Sequence, residues 1–254
     1  MRAYRMVAAF VAWGWMSFCA AQAAEITVLA AGATKDVFEE VIPNFEKGSP
    51  HKVIVRWAAT ADFKKRMEAG EVYDLVVAAA PDVESYSAQG LIVAGSRTDI
   101  MKVGIGVATR AGLAKPDISS TDAFKRTLLD AQSIAYSTGP SGVYLVDLFK
   151  RLGVAEQIQS KIKRAPSGVP IGSVLAKGDA DIGFQQVSEL ISYPGITYVG
   201  PLPSDIQNMT VYSVGVHSGA KSPEAAQALI AVLSSQTVWP VIKEHGMEPP
   251  DVKL

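Results

Sequence analysis

The stretch "ITVLAAGATKDVFEEVIPNFE" (26–46) decides how this chain folds. Ile26–Ala31 is a short run, apolar at every position but Thr27, and reads as a buried strand. From Val37 the apolar positions change period: Val37, Phe38, Val41, Ile42 and Phe45 recur at helical spacing. Between strand and helix stand Ala31, Gly32, Ala33 and Thr34, small residues that leave backbone N–H groups accessible. The same alternation continues along the chain. Strands are expected at Lys52–Trp57, Leu75–Ala79, "VGIGVAT" (103–109), "SIAYS" (133–137), Ile182–Gln186, Ile196–Val199 and "NMTVYSVGV" (208–216). Helices are expected around Phe63–Met67, in "DVESYSAQGLI" closed by Gly90, and in "DISSTDAFKRTLLDA" capped by Ser120 or Thr121. More follow at Val143–Leu152, around Val174–Leu175, in "SPEAAQALIAVLSS", and from about Thr237 to His245. Alternating strands and helices predict parallel sheets covered on both faces, with ligands beyond the carboxyl ends of the strands.

The 254 residues are 48% hydrophobic and 19% charged, which suits a globular protein with a sizeable core. A formal net charge of −1 and the absence of a basic run give no support for nucleic acid as a partner. The first 23 residues read as an export signal. Arg2 and Arg5 precede the apolar stretch Met6–Phe18, and Ala21-Gln22-Ala23 offers small residues for cleavage before Ala24. The single cysteine, Cys19, lies inside that signal, so the mature chain would carry no thiol into an oxidising periplasm.

Other strand ends repeat the small-residue pattern: "AATAD" (58–62), "TGPSGVY" (138–144), "APSGVPIGS" (165–173), and Gln185-Gln186 closing "DIGFQQ". None has Arg or Lys at its centre. They offer backbone N–H groups, small hydroxyls and carboxamides, the parts of a neutral-donor cage for a desolvated anion. Thr34, Ser120 and Ser141 are also ordinary helix caps, and Gly32, Gly139, Gly142 and Gly168 ordinary turn glycines; the recurrence at several strand ends carries the functional reading. Asp62 either caps a helix and faces away, or marks a cationic ligand. No His/Cys/Asp/Glu cluster has metal-ligand spacing, and "GPSG" around Ser141 lacks the Gly-x-Ser-x-Gly pattern of a nucleophile elbow. No cofactor is called for.

"EITVLAAGATKDVFEEVIPNFEK", "RWAATADFKKRMEAGEVYDLVVAA", "SGVYLVDLFKRLG" and "KGDADIGFQQVSEL" resemble the periplasmic molybdate-binding proteins of ABC importers and their close relatives. The resemblance implies a type II periplasmic binding fold: two α/β lobes with mainly parallel central sheets, joined by two crossing strands, with the solute in the cleft. "KVGIGVAT" and "MTVYSVGV" would be the crossings, lobe one being 25–103 plus 211–254 and lobe two 104–210. Carried over by motif, the ligand contacts fall on Gly32, Ala33 and Thr34; on Ala59, Thr60 and Ala61; on Pro140, Ser141, Gly142 and Val143; on Gly168 and Val169; and on Gln186. Ala33 stands where the family has a serine, "AATAD" keeps one hydroxyl of a serine-rich loop, and Gln186 replaces an expected tyrosine. The resemblance implies a monomeric solute-binding component that delivers a small anion, a molybdate-like oxyanion or small organic acid, to a membrane permease, without catalysis. Two rival readings share the sequence: a receptor signalling to a membrane sensor, and an exported hydrolase using Ser141.

Overall fold

The computed structural model describes residues 23–251. The export-signal reading therefore lies outside the described residues. Ten strands form two five-stranded sheets. The first has the order β2-β1-β3-β10-β4, built from β1 (Glu25–Ala31), β2 (Lys52–Ala58), β3 (Leu75–Ala79), β4 (Thr98–Val103) and β10 (Thr210–Val216). The second has the order β7-β6-β8-β5-β9, from β5 (Ile105–Arg110), β6 (Ile134–Tyr136), β7 (Ile162–Arg164), β8 (Ile182–Gln186) and β9 (Ile196–Pro201).

The expected parallel core is present in each sheet, as β2-β1-β3 and β7-β6-β8. Both sheets are nonetheless mixed, because β10 runs antiparallel to β3 and β4, and β5 antiparallel to β8 and β9. The reason is connectivity: β10 and β5 are reached by passing from one sheet to the other, with no crossover helix to reverse the chain. The stretch read as a single strand, "VGIGVAT", is divided at Gly104, with β4 on its N-terminal side in one sheet and β5 on its C-terminal side in the other. The return passage is 202–209.

Helices cover both faces of each sheet. On one face of the first sheet, α1 (Lys35–Gly48), α9 (Pro223–Leu233) and α10 (Trp239–Glu244) bury Phe38, Phe45, Leu229 and Ile242 against Ile26, Val28 and Val214. On its other face α2 (Thr60–Glu68) and α3 (Ala80–Ala88) bring Phe63, Met67 and Val83 to Leu29 and Val76. The second sheet repeats the plan. There α4 (Thr121–Asp130), α5 (Pro140–Arg151) and α6 (Ala155–Ile158) pack Phe124, Phe149 and Ile158 onto Phe184 and Ile134. On the far side α7 (Ile171–Ala176) and α8 (Val187–Leu190) pack Ile171, Leu175 and Leu190 onto Ala108 and Ala135. Each face of each sheet thus has its own apolar cluster, and fully burying one such side chain stabilises by roughly 1.5–3 kcal/mol. Helix ends follow local chemistry. Ser120 accepts from the Ala123 N–H at 3.2 Å and caps α4, and Gly90, with φ of 75°, turns the chain after α3.

A reciprocal clip ties the strand starts in both sheets. In the first, the Thr27 backbone N–H and hydroxyl both donate to Asp74 Oδ2 at 2.8 Å, and the Asp74 N–H returns to Thr27 Oγ1 at 3.1 Å. In the second, the Ser133 hydroxyl donates to Asp181 Oδ2 at 2.9 Å and the Asp181 N–H returns to Ser133 Oγ at 3.0 Å.

Candidate functional site

The carboxyl ends of the two parallel cores face one another across a cleft of about 910 Å³. Its walls begin with the loops flagged in sequence. After β1 come Gly32 and Ala33; after β2, Ala59, Thr60 and Ala61; after β6, Pro140 and Ser141; before α7, Gly168 and Val169; at the end of β8, Gln186. The loops approach closely: a Cβ placed on Gly139 would stand 3.5 Å from Thr60 Oγ1, and one on Gly168 would stand 3.7 Å from Ala59 Cβ.

Two helix starts open into this space. In α2 the first intrahelical bond runs from Phe63 N–H to Ala59 C=O, and in α5 from Val143 N–H to Gly139 C=O. The N–H groups before them, of Thr60, Ala61 and Asp62 and of Ser141 and Gly142, have no intrahelical partner, and neither helix carries a side-chain cap. Such uncapped first turns favour a negative ligand. Ser141 does not cap its own helix. It lies one residue inside α5, its hydroxyl 2.9 Å from Ser137 Oγ, which also accepts from the Gly139 N–H at 3.3 Å.

Three residues placed in the site from sequence stand elsewhere. Thr34 is fully buried and its hydroxyl donates back to Ala31 C=O at 2.9 Å, so it neither caps α1 nor reaches the cleft. Gly142 is not on the cleft wall; it is a packing glycine whose Cβ would fall 1.6 Å from Ser137 C=O. Val143 is 65% exposed, and its N–H is spent within the helix. Asp62 fits neither sequence alternative. It lines the cleft, and Arg66 one turn later in the same helix donates to its Oδ2 at 2.9 Å, neutralising it.

The structure also adds residues that sequence reasoning did not place there. Lys35 and Lys65 line the cleft, correcting the expectation of purely neutral donors. Lys35 opens α1 and Lys65 sits in the last turn of α2, both past the small-residue loops that drew attention. Trp57, Ser188, Glu189 and Tyr212 line it too. Tyr212 comes from β10, so a tyrosine does face the ligand space, from the return crossing rather than from β8. Burial pushes its hydroxyl well above the ordinary range, with the Glu189 charge adding to it, so it stays protonated. Gln186 donates through Nε2 to Thr210 Oγ1 at 2.9 Å, while its buried Oε1 has no hydrogen-bond partner among the described residues.

Glu189 is the unexpected group. It stands within α8, keeps part of its surface open to the cleft, and is otherwise surrounded by protein. Gln185 Nε2 donates to its Oε1 at 2.7 Å, and the orientation of that amide is fixed because Gln185 Oε1 accepts from the buried Ile171 N–H at 2.7 Å. A Cβ on Gly32 would lie 3.9 Å from the same Oε1. Burial raises the Glu189 carboxyl to about 7, against the opposing pull of the Gln185 amide and the Gln186 backbone, with Asp36 nearby pushing the same way as burial. Beneath the cleft a small annex of about 60 Å³ is lined by Asp82, Tyr86, Thr60 and Tyr212. Burial raises the Asp82 carboxyl and lifts Tyr86 to about 12. The two lobes also touch: the Ser188 hydroxyl donates to Ala33 C=O at 2.9 Å. Among the described residues, no group of three His, Cys, Asp or Glu could hold a metal ion.

Two lobes with a donor-lined cleft between them define a binding protein of the kind that encloses a small solute. The chain belongs to the bacterial extracellular solute-binding protein family, whose model matches residues 26–248. It is 38% identical over 230 residues to a protein from Pseudomonas sp named aconitate isomerase, covering 88% of this chain and 87% of that one. To the molybdate-binding protein of Azotobacter vinelandii it is 29% identical over 232 residues, covering 90% and 91%. The solved structure titled the periplasmic molybdate-binding protein of that organism superposes with a TM-score of 0.75 at 20% identity, covering 89% of this chain and 100% of that one. That similarity bears out the fold and the family resemblance read from the sequence.

Proposed function

We propose that this chain is an exported solute-binding protein whose cleft takes a small organic anion, a di- or tricarboxylate, for delivery to the membrane permease of an ABC importer. The observation that carries the reading is the pair of uncapped helix starts, α2 and α5, opening from opposite lobes into one cleft. A ligand touching both would favour the closed arrangement by its greater affinity for it. Lys35 and Lys65 add countercharge for a ligand with more than one negative group. A cleft of about 910 Å³ has room beyond a single tetrahedral oxyanion. The Pseudomonas relative is named for a tricarboxylate, which favours the same ligand class.

Titration calorimetry on residues 24–254 tests this with tricarballylate, succinate, molybdate and sulfate. Carboxylate binding without tight molybdate binding is expected; molybdate binding with no response to carboxylates overturns it. The Pseudomonas relative is named an isomerase, which also raises a catalytic reading, for which Glu189 is the specific observation.

A further inference from the structure

We infer that Glu189 is an acid–base group that moves a proton within a bound unsaturated polycarboxylate, so that the binding cleft is also a site of isomerisation. This rests on the carboxylate reading above and extends it to chemistry. A cleft furnished for anions carries a carboxyl group in its wall, 2.7 Å from an amide that is itself locked by a buried backbone N–H. Repulsion makes such a group a liability for binding alone, since a neutral glutamine would fill the same space and donate to the ligand.

The other carboxyls near the cleft are accounted for differently. Asp62 is paired with Arg66, Asp36 stands in the first turn of α1 where an acid complements the helix dipole, and Asp82 lies in the annex with Lys64 nearby. The groups facing Glu189 are Asp36 from α1 and Tyr212 from β10, with Lys35, Lys65 and Asp62 lining the same cleft. A carboxyl held near neutrality is matched to proton transfer in both directions. No redox partner and no second base is needed.

The step balances as a proton shift. Ionised Glu189 takes a proton from a CH2 that lies between a carboxylate and a C=C. The C–H electron pair spreads over the three allylic carbons and the adjoining carboxylate, where Lys35 or Lys65 offers countercharge. The carboxyl of Glu189 then returns its proton to the far allylic carbon, forming a new C–H bond there as the double bond moves by one position. Glu189 ends ionised, as it began. In a substrate whose two allylic ends bear like groups, this exchange converts the cis isomer to the trans when the carboxylate on the CH2 is held in the orientation that becomes trans about the new double bond.

Gln185 is a positioning residue: it touches Glu189 and presents one oxygen in a fixed direction.

The test follows cis- and trans-aconitate by proton NMR with the mature protein, alongside calorimetry with tricarballylate, which has no C=C and can only bind. The wild-type protein is expected to interconvert the isomers, with a rate that rises through pH 7 as Glu189 ionises. Glu189→Gln is expected to lower that rate by at least about 100-fold, the usual scale for loss of a general base, while still binding tricarballylate. Gln185→Leu removes a hydrogen bond that favours the ionised carboxyl, so its rate should fall and the midpoint of its pH profile should move upward. Wild-type protein that binds tricarballylate but leaves both isomers unchanged overturns the proton transfer and spares the binding function. Protein that binds no tricarboxylate overturns both. A Glu189→Gln rate equal to wild type assigns the base elsewhere and overturns the role of Glu189.

Discussion

Asp74 and Glu189 are carboxylates withdrawn from water at opposite ends of the same architecture, and the protein treats them in opposite ways. Asp74 closes the strand starts away from the cleft. It accepts from Thr27 twice through Oδ2, and from the Lys221 and Ser222 N–H groups through Oδ1 at 2.8 Å each. Burial works against its ionised form, but these four donors overcome it and its carboxyl stays below the ordinary range. Glu189 stands at the strand ends that face the cleft, with only the Gln185 amide and the Gln186 backbone to favour its charge, and burial wins. The lesson is about donor supply. Where a buried carboxylate is structural the backbone saturates it, and where it is left short of donors the shortage is available for chemistry.

The largest effect that could break this contrast is Asp74→Ala, which strands the Thr27 hydroxyl and three backbone N–H groups, those of Thr27, Lys221 and Ser222. A loss of about 3–5 kcal/mol is expected in urea denaturation, and a loss under 1 kcal/mol would mean water replaces the carboxylate at no cost. Next comes Glu189→Gln. The Glu189 pKa is raised on folding, so ionising it costs stability that is absent below about pH 4.5 and fully felt above about pH 7. The variant should therefore match wild type at pH 4 and exceed it at pH 8 by up to about 3 kcal/mol. Parallel stability curves across that range would show that Glu189 is solvated like any surface acid.

Thr27→Val sharpens the comparison from the other side. It removes the hydroxyl but leaves three N–H donors on Asp74, so about 1.5–2 kcal/mol should be lost at neutral pH. Because the Asp74 carboxyl would then sit closer to its unfolded value, less of its stabilising contribution remains to be lost as pH falls below 4, and the variant should approach wild type in acid. The smallest effect expected is on the ligand rather than the fold. Thr60→Val should weaken anion binding by about 1–2 kcal/mol in calorimetry, the worth of one hydrogen bond to a charged ligand, and unchanged affinity would take the Thr60 hydroxyl out of the site.

Much of the architecture was legible because period changes are: the switch from Ile26–Ala31 to Val37–Phe45 carries both elements and the junction between them. The break at Gly104 was not, since an apolar run is the same whether it stays in one sheet or changes sheets. The glycine was the available signal; its Cβ would lie 2.9 Å from Gln207 Nε2. In the cleft, small-residue loops identified the right neighbourhood but not the direction of each side chain. Thr34 and Thr60 look alike in sequence, yet one hydroxyl is consumed by Ala31 C=O and the other faces Gly139. Glu189 was hidden for a different reason. In "QQVSEL" it has the spacing of an ordinary helical surface acid, and only the packing of α8 against Ala33 and Gly246 turns it inward.

Gln207 gives the chain passage at Gly104 a mechanical character. Its Oε1 accepts from the Ile105 N–H at 2.8 Å and its Nε2 donates to the Ile105 C=O at 3.1 Å, so one side chain extends to Ile105 the edge that β9 pairs from Gly106 onward. The outward and return passages are thereby riveted together on the second lobe's side. A rotation between the lobes would fall on the few bonds around Gly104 and around Asn208–Met209, a short strap stitched twice by one side chain rather than two independent threads.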